Sequence, residues 1–119
     1  MVNVWLLDLI AALGETVGLA EALGLDPSDF LTVIEGGPLD SPFAQLKGKA
    51  MVSHNYPASF PLVHACKDAH LAIEGAERAG LLLNLGATTA KIFDTAMTAG
   101  YGDQDLAATR EVVGQPLDN

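Results

Sequence analysis

The sequence predicts an all-α fold of five to six helices in one domain spanning residues 1–119, and three observations carry that prediction. Helix starts and stops recur along the chain: Asp26-Pro27 and Ser41-Pro42 have the form of capped N-termini, and Gly24, Gly36-Gly37, Gly80 and Gly100 each end an apolar run. No alternating apolar run of strand length bounded by turn signals occurs, the ambiguous stretch Leu81 to Leu83 apart. The chain has 119 residues, 50% of them apolar and 18% charged, which is ample material for one core and unlike a disordered segment.

Taken in order, VNVWLLDLIAAL (2–13) is apolar at nearly every position and continues through GETVGLAEALG to Gly24, so it reads as one long helix. Its belt falls short of the roughly 20 residues of a membrane span. A helix that is hydrophobic all round must nonetheless be covered on more than one side. Ala11, Gly14, Gly18 and Ala22 form a stripe of small residues along it, open to two readings: tight packing in the chain's own core, or contact with a second subunit. The next helix starts at Asp26-Pro27, with Asp29 near its positive end, and stops at Gly36. Ser41 and Pro42 open a third, through FAQLKGKAMV to the polar loop His54-Asn55-Tyr56-Pro57. Ser59 is the expected cap of a long helix from Phe60 to Ala79. A fifth follows over LGATTAKIFDTAMTAG, and Gly102-Asp103 reopens the chain into a short terminal helix, QDLAATREVV, before the Gly114-Gln-Pro tail.

Charge and cysteine content exclude whole classes of partner. Six basic against 15 acidic residues give a net charge of −9, which repels nucleic acid and anionic membrane surfaces. Seven acids (Asp8, Glu15, Glu21, Asp26, Asp29, Glu35, Asp40) precede the first base, Lys47, unlike the positive start of a signal or transit peptide. Cys66 is the only cysteine, so the chain has neither an internal disulfide nor a cysteine zinc cluster, and a reducing, cytoplasmic location is expected.

The helix expected over 60–79 holds most of the candidate chemistry. Lys67 falls on an apolar stripe between Val63 and Leu71, seven residues after Phe60. It is either a lysine whose stem covers hydrophobic surface or an ammonium set for an anionic ligand. His64 and Asp68 are one turn apart and positioned to pair. His70 lies four residues after Cys66, the spacing of a thiol activated by imidazole, but a cysteine there is more simply a small core residue, and no third orienting group is evident. The three histidines do not share a face, so no metal site is expected. No glycine-rich phosphate loop is present, and Gly100-Tyr-Gly-Asp103 is a lone turn.

The segments GLAEALGLDP, SPFAQLKGKAM, ASFPLVHACKDAHLAIEGAERAG and AGYGDQDLAA together resemble the C-terminal helical domain of the β-hydroxyacid dehydrogenase family, from about Val2 to Val113. The most specific piece is Phe60 followed, after six residues, by Lys67-Asp68. The resemblance implies a domain that follows an N-terminal Rossmann domain binding NAD or NADP, with the active site between the two. It places Asn3 and Phe60 at the substrate, and Lys67 and Asp68 at the cofactor, which favours the ligand reading of Lys67. The family's catalytic lysine stands four residues before the asparagine matched by Asn3, hence ahead of Met1, and Val2 replaces a second asparagine often seen there. The 119 residues alone are therefore expected to be inactive as a dehydrogenase. The resemblance implies a small hydroxyacid or semialdehyde substrate and a homo-oligomer formed through the apolar helix 2–24. Two rivals accompany this expectation: a non-enzymatic helical oligomer, and an imine reductase-type domain.

Overall fold

A computed structural model describes residues 1–113. Its elements are α1 (Val2–Ala22), α2 (Pro27–Ile34), α3 (Pro42–Ser53), α4 (Leu62–Arg78), α5 (Asn84–Thr98) and a closing 3₁₀ helix (Leu106–Glu111). The described residues contain no strand, only an isolated antiparallel bridge between Pro61 and Asp105.

Two expected caps form as the sequence reads. Asp26 accepts from the Ser28 amide at 2.9 Å, and the Ser41 hydroxyl accepts from the Ala44 amide at 3.0 Å. The hydrogen bonds from the Ser28 hydroxyl and amide also hold the Asp26 carboxyl below its ordinary value. Gly24 and Gly100 adopt φ of +74° and +95°, the left-handed geometry that lets the amide of the next residue turn back onto the helix: Leu25 to Ala20 at 2.9 Å, Tyr101 to Ala96 at 3.1 Å.

The start of α4 differs from expectation. The helix begins at Leu62 after Pro61, not at Phe60, and no side chain caps it. The Ser59 hydroxyl is engaged elsewhere, accepting from Lys47 Nζ at 3.0 Å and lying 3.2 Å from Asp105 Oδ1. The terminal helix differs too. It is a 3₁₀ helix of 6 residues, opened not by Gly102-Asp103 but by Asp105, whose carboxylate accepts from the Ala107 amide at 3.0 Å. The Gly114-Gln-Pro tail lies outside the described residues.

The core lies where α1, α4, α5 and the 3₁₀ helix converge. Ile10, Val17, Met51, Leu62, Phe93 and Leu106 are all fully buried in it. The small-residue stripe on α1 is taken up largely within the chain. A Cβ built on Gly14 would stand 2.8 Å from Val113 Cγ2, and one on Gly18 would stand 3.3 Å from Arg110 Cζ. Ala11 is also buried, and only Ala22 at the end of the stripe is exposed. Thus the 3₁₀ helix, not a second subunit, lies against the middle of the stripe. At 21 residues and a mean hydropathy of 1.5, α1 is long and apolar enough to cross a bilayer by those measures, further than the 12-residue belt suggested. In the fold, however, its Leu7, Ile10, Leu13 and Val17 are core residues.

Gly48 on α3 is a second close approach. A Cβ there would meet three side-chain atoms of Leu31 at 2.6, 3.0 and 3.3 Å, so α2 could stay in place only by displacing that whole side chain. Gly48→Ala is expected to destabilise the domain by about 1 kcal/mol, overpacking of roughly 1–3 kcal/mol outweighing the roughly 1 kcal/mol gained in helix propensity. Thermal unfolding of the variant checks this, and an unchanged or raised Tm would show that Leu31 yields freely.

Candidate functional site

The first turn of α1 and the middle of α4 meet at one end of the molecule. Asn3 Nδ2 donates to Asp68 Oδ2 at 3.0 Å, joining residues 65 positions apart in the sequence. Asp68 therefore pairs with Asn3, and no His64–Asp68 hydrogen bond or ion pair forms among the described residues. A primary amide that donates to a carboxylate keeps its own carbonyl oxygen free to accept, so the pair offers both polarities to a ligand.

Lys67 adjoins this pair and is exposed, with no hydrogen bond or ion pair among the described residues. The apolar stripe that brackets it is not a core face. Val63 and Leu71 are exposed, while α4 buries Leu62, Ala65 and Ala69 on another side. Lys67 is thus an uncompensated ammonium on a solvent-facing apolar strip, in a molecule of net charge −9. Phe60, placed before α4 and not on it, does not share a helix face with Lys67. It is half-buried against the core, and its amide donates to Asp105 Oδ1 at 3.0 Å.

That last bond belongs to a buried hub that sequence reasoning missed. Lys47 Nζ lies 3.0 Å from both carboxylate oxygens of Asp105, with side-chain exposures of 8% and 3%. Asp105 also accepts from the amides of Ser59 (3.1 Å), Phe60 and Ala107. Burial pushes the Asp105 carboxyl up, but the Phe60 and Ala107 amides, Lys47 and the Ser59 amide outweigh it and hold the group below its ordinary value. The hub fixes the segment 59–61 that leads into α4, and so positions the helix carrying Lys67 and Asp68. A signal for Lys47 was present: Phe43, Ala44, Ala50 and Met51 flank it at three- and four-residue steps, which puts it on an inward face.

On another side of α4, Asp94 of α5 lies between Cys66 and His70. His70 Nε2 is 2.7 Å and Cys66 Sγ 3.3 Å from Asp94 Oδ1, so the third group that the sequence left unassigned is supplied by the neighbouring helix. Burial, followed by the hydrogen bond and charge of Asp94, pushes the Cys66 thiol up to about 11, the opposite of an activated nucleophile. His54, at the left-handed end of α3, approaches Glu111 at 2.8 Å, and the Tyr56 hydroxyl donates to the same carboxylate at 2.8 Å.

An open, mainly apolar groove of about 570 Å³ lies beside the N-terminal half of α1, lined by Val2, Trp5, Leu6, Leu9, Leu39 and Phe43 among others. Trp5 is 71% and Leu39 82% exposed at its rim.

Fold and family match together define a hydroxyacid dehydrogenase-like domain, helical over the described residues and without a glycine-rich nucleotide loop in its sequence. The chain belongs to the family described as the NAD-binding domain of NADP-dependent 3-hydroxyisobutyrate dehydrogenase, whose model matches residues 1–113. It is 31% identical over 113 residues to glyoxylate/succinic semialdehyde reductase 2, chloroplastic, of Arabidopsis thaliana, and 30% identical over 113 residues to reductase 1 of the same plant. In each case 95% of this chain is covered, but only 32% and 39% of the relative, so the chain spans about a third of their length. It is also 31% identical over 100 residues to the cytokine-like nuclear factor N-PAC of Aedes aegypti, covering 84% of this chain and 18% of that protein. A 3-hydroxyisobutyrate dehydrogenase from Salmonella typhimurium has the same fold, with a TM-score of 0.86 at 24% identity over 92% of this chain and 39% of that one. So does the Mycobacterium tuberculosis enzyme studied with L-serine, at 0.81 and 22% over 95% and 41%.

Proposed function

We propose that this chain is the substrate-side helical domain of an NAD(P)-dependent 3-hydroxyacid dehydrogenase, interconverting a small hydroxyacid and its semialdehyde. The single observation that carries the reading is the Asn3–Asp68 contact beside the unpaired Lys67. Residues distant in sequence bring a carboxamide and a carboxylate together, with an exposed ammonium at the next position of α4, a set of groups suited to a small carboxylate-bearing molecule or to the polar groups of a dinucleotide. Membership of an NAD-binding family supports the same reading. The nicotinamide would supply hydride transfer when bound. Lys67 and Asp68 would hold its surroundings, and Asn3 would orient the substrate. Phe60 would line the pocket through the segment that the Lys47–Asp105 hub fixes. The general acid/base is not assigned to any residue of this chain.

The test is steady-state reduction of succinic semialdehyde and glyoxylate, with NADPH and with NADH, by the enzyme that carries this domain. Asn3→Ala is expected to raise KM for the aldehyde by about 10-fold, the loss of one ligand hydrogen bond worth roughly 1–1.5 kcal/mol. Unaltered KM and kcat in that variant would remove Asn3 from the substrate site. Absence of turnover with both substrates and both cofactors would sink the enzymatic reading.

The relatives named as nuclear factors favour keeping a second reading, a non-enzymatic helical oligomer. In both readings we propose the apolar N-terminal part of α1, with Trp5 and Leu39 beside the groove, as the oligomer contact. Trp5→Glu should then convert the oligomer to monomer in light scattering. A wild-type protein that is monomeric at all concentrations would refute this contact.

A further inference from the structure

We propose that Cys66, His70 and Asp94 form a site for a single divalent transition metal of the zinc class, joining α4 to α5. The three side chains come from two packed helices. Cys66 and His70 are one turn apart on α4, and Asp94 on α5 reaches between them. Their ligand atoms all lie within 4.8 Å of one another, with Sγ to Oδ1 at 3.3 Å and Nε2 to Oδ1 at 2.7 Å. A tetrahedral ion with bonds of about 2.3 Å to sulfur and about 2.0 Å to nitrogen and oxygen places its ligand atoms roughly 3.3–3.6 Å apart. The Nε2–Oδ1 side therefore has to widen by about half an ångström, and Sγ and Nε2, which lie within 4.8 Å of each other, have to stand at about 3.5 Å, adjustments within reach of side-chain rotation at the exposed His70 and Asp94.

The donor set selects the ion. One thiolate and one imidazole suit zinc, cobalt or nickel, whereas magnesium and calcium ask for oxygen ligands. Three protein ligands at a solvent-open surface leave the fourth position to water. The chemistry of loading is explicit. The Cys66 thiol, which donates to Asp94 in the metal-free protein, gives its proton to solvent as the sulfur–metal bond forms. The ion then takes the place of that proton between sulfur and carboxylate. The Nε2–H of His70, which donates to Asp94 in the metal-free protein, is likewise given up, to solvent from the imidazolium or by a shift to the Nδ1–H tautomer from the neutral ring, and the freed Nε2 lone pair binds the ion. The negative charge of Asp94 is what a cation there would gain from. The site uses none of Asn3, Phe60, Lys67 or Asp68, so it stands independently of the proposed dehydrogenase role.

Titration of the phosphine-reduced protein with Co²⁺ tests the proposal. At one equivalent it should give a near-ultraviolet thiolate-to-cobalt charge-transfer band and visible bands of tetrahedral intensity, both abolished by one equivalent of Zn²⁺, and Zn²⁺ should raise Tm. Cys66→Ser should remove the charge-transfer band with the helical circular dichroism unchanged, and His70→Gln should weaken Zn²⁺ binding on the order of 100-fold, at least the loss seen when a supporting residue of a metal site is removed. Absence of the charge-transfer band at saturating Co²⁺ overturns the proposal. So does Zn²⁺ affinity undiminished in the Cys66→Ser/His70→Gln double variant, which would mark adventitious binding elsewhere.

Discussion

Asp105→Ala lowers the stability of the domain by about 3–5 kcal/mol, because it leaves a buried ammonium without its counter-charge. Lys47 Nζ retains only the Ser59 hydroxyl, and the amides of Ser59, Phe60 and Ala107 lose their acceptor at the same time. Lys47→Met is expected to cost less, since three amides still solvate the Asp105 carboxylate and methionine fills the volume of the lysine stem. Urea unfolding of the two variants orders them. Equal losses would mean that the ion pair itself, and not the amide cradle, holds the hub.

The same group gives the domain an acid limit. Asp105 is held below its ordinary value of 3.8, so its contribution is fully present above about pH 4 and is lost as pH falls through the lower, folded-state value. Glu111 and Asp94 act in the same sense, through the Tyr56 and His54 bonds in the first case and the His70 bond in the second. Asp105→Asn should flatten the fall in unfolding free energy between about pH 4 and pH 2 relative to wild type. Parallel curves for the two proteins would show that Asp105 titrates alike in both states.

Lys67→Ala in the complete enzyme lowers kcat/KM by about 100-fold, the scale of removing one charge-bearing donor from an active site, with Tm unchanged. The two halves of this expectation have separate grounds. Lys67 is exposed and unpaired among the described residues, so its removal breaks no contact that holds the fold. Under the proposed function its charge, one position from Asp68 in a molecule of net charge −9, would act on an anionic ligand. Lys67→Arg should recover part of the loss, because an ammonium and a guanidinium share charge but not shape. Native kinetics in Lys67→Ala would return the residue to the role of a solubilising lysine on an apolar strip.

The helical class and the capped starts of α2 and α3 were legible because they depend on local chemistry: Asp26 and Ser41 bond to amides within three residues of themselves. The start of α4 was not, because Ser59 has the residue type of a cap but is held by Lys47 and Asp105, 12 and 46 positions away. For the same reason the sequence left open which way the stripe Val63–Lys67–Leu71 points, and in the fold it faces solvent. Periodicity finds a stripe, but which face meets the core depends on α1 and α5. Family resemblance named Asn3 and Asp68 separately. Their contact, and the arrival of Asp94 between Cys66 and His70, are products of helix packing that a single sequence does not encode at any fixed spacing.

The closing 3₁₀ helix also bears on how the chain is made. Leu106, Ala107 and Ala108 are wholly enclosed, and Arg110 reaches Glu21 at 3.2 Å across 89 positions. During synthesis, α1 emerges before the other helices of this domain, yet the element that covers its glycines is translated after all of them. Until then its apolar flank is open to water and to other nascent chains, so the native core is completed in a late step that joins the two ends of the domain. Folding of this domain is therefore expected to await almost the whole of its synthesis, rather than to proceed helix by helix as the chain appears.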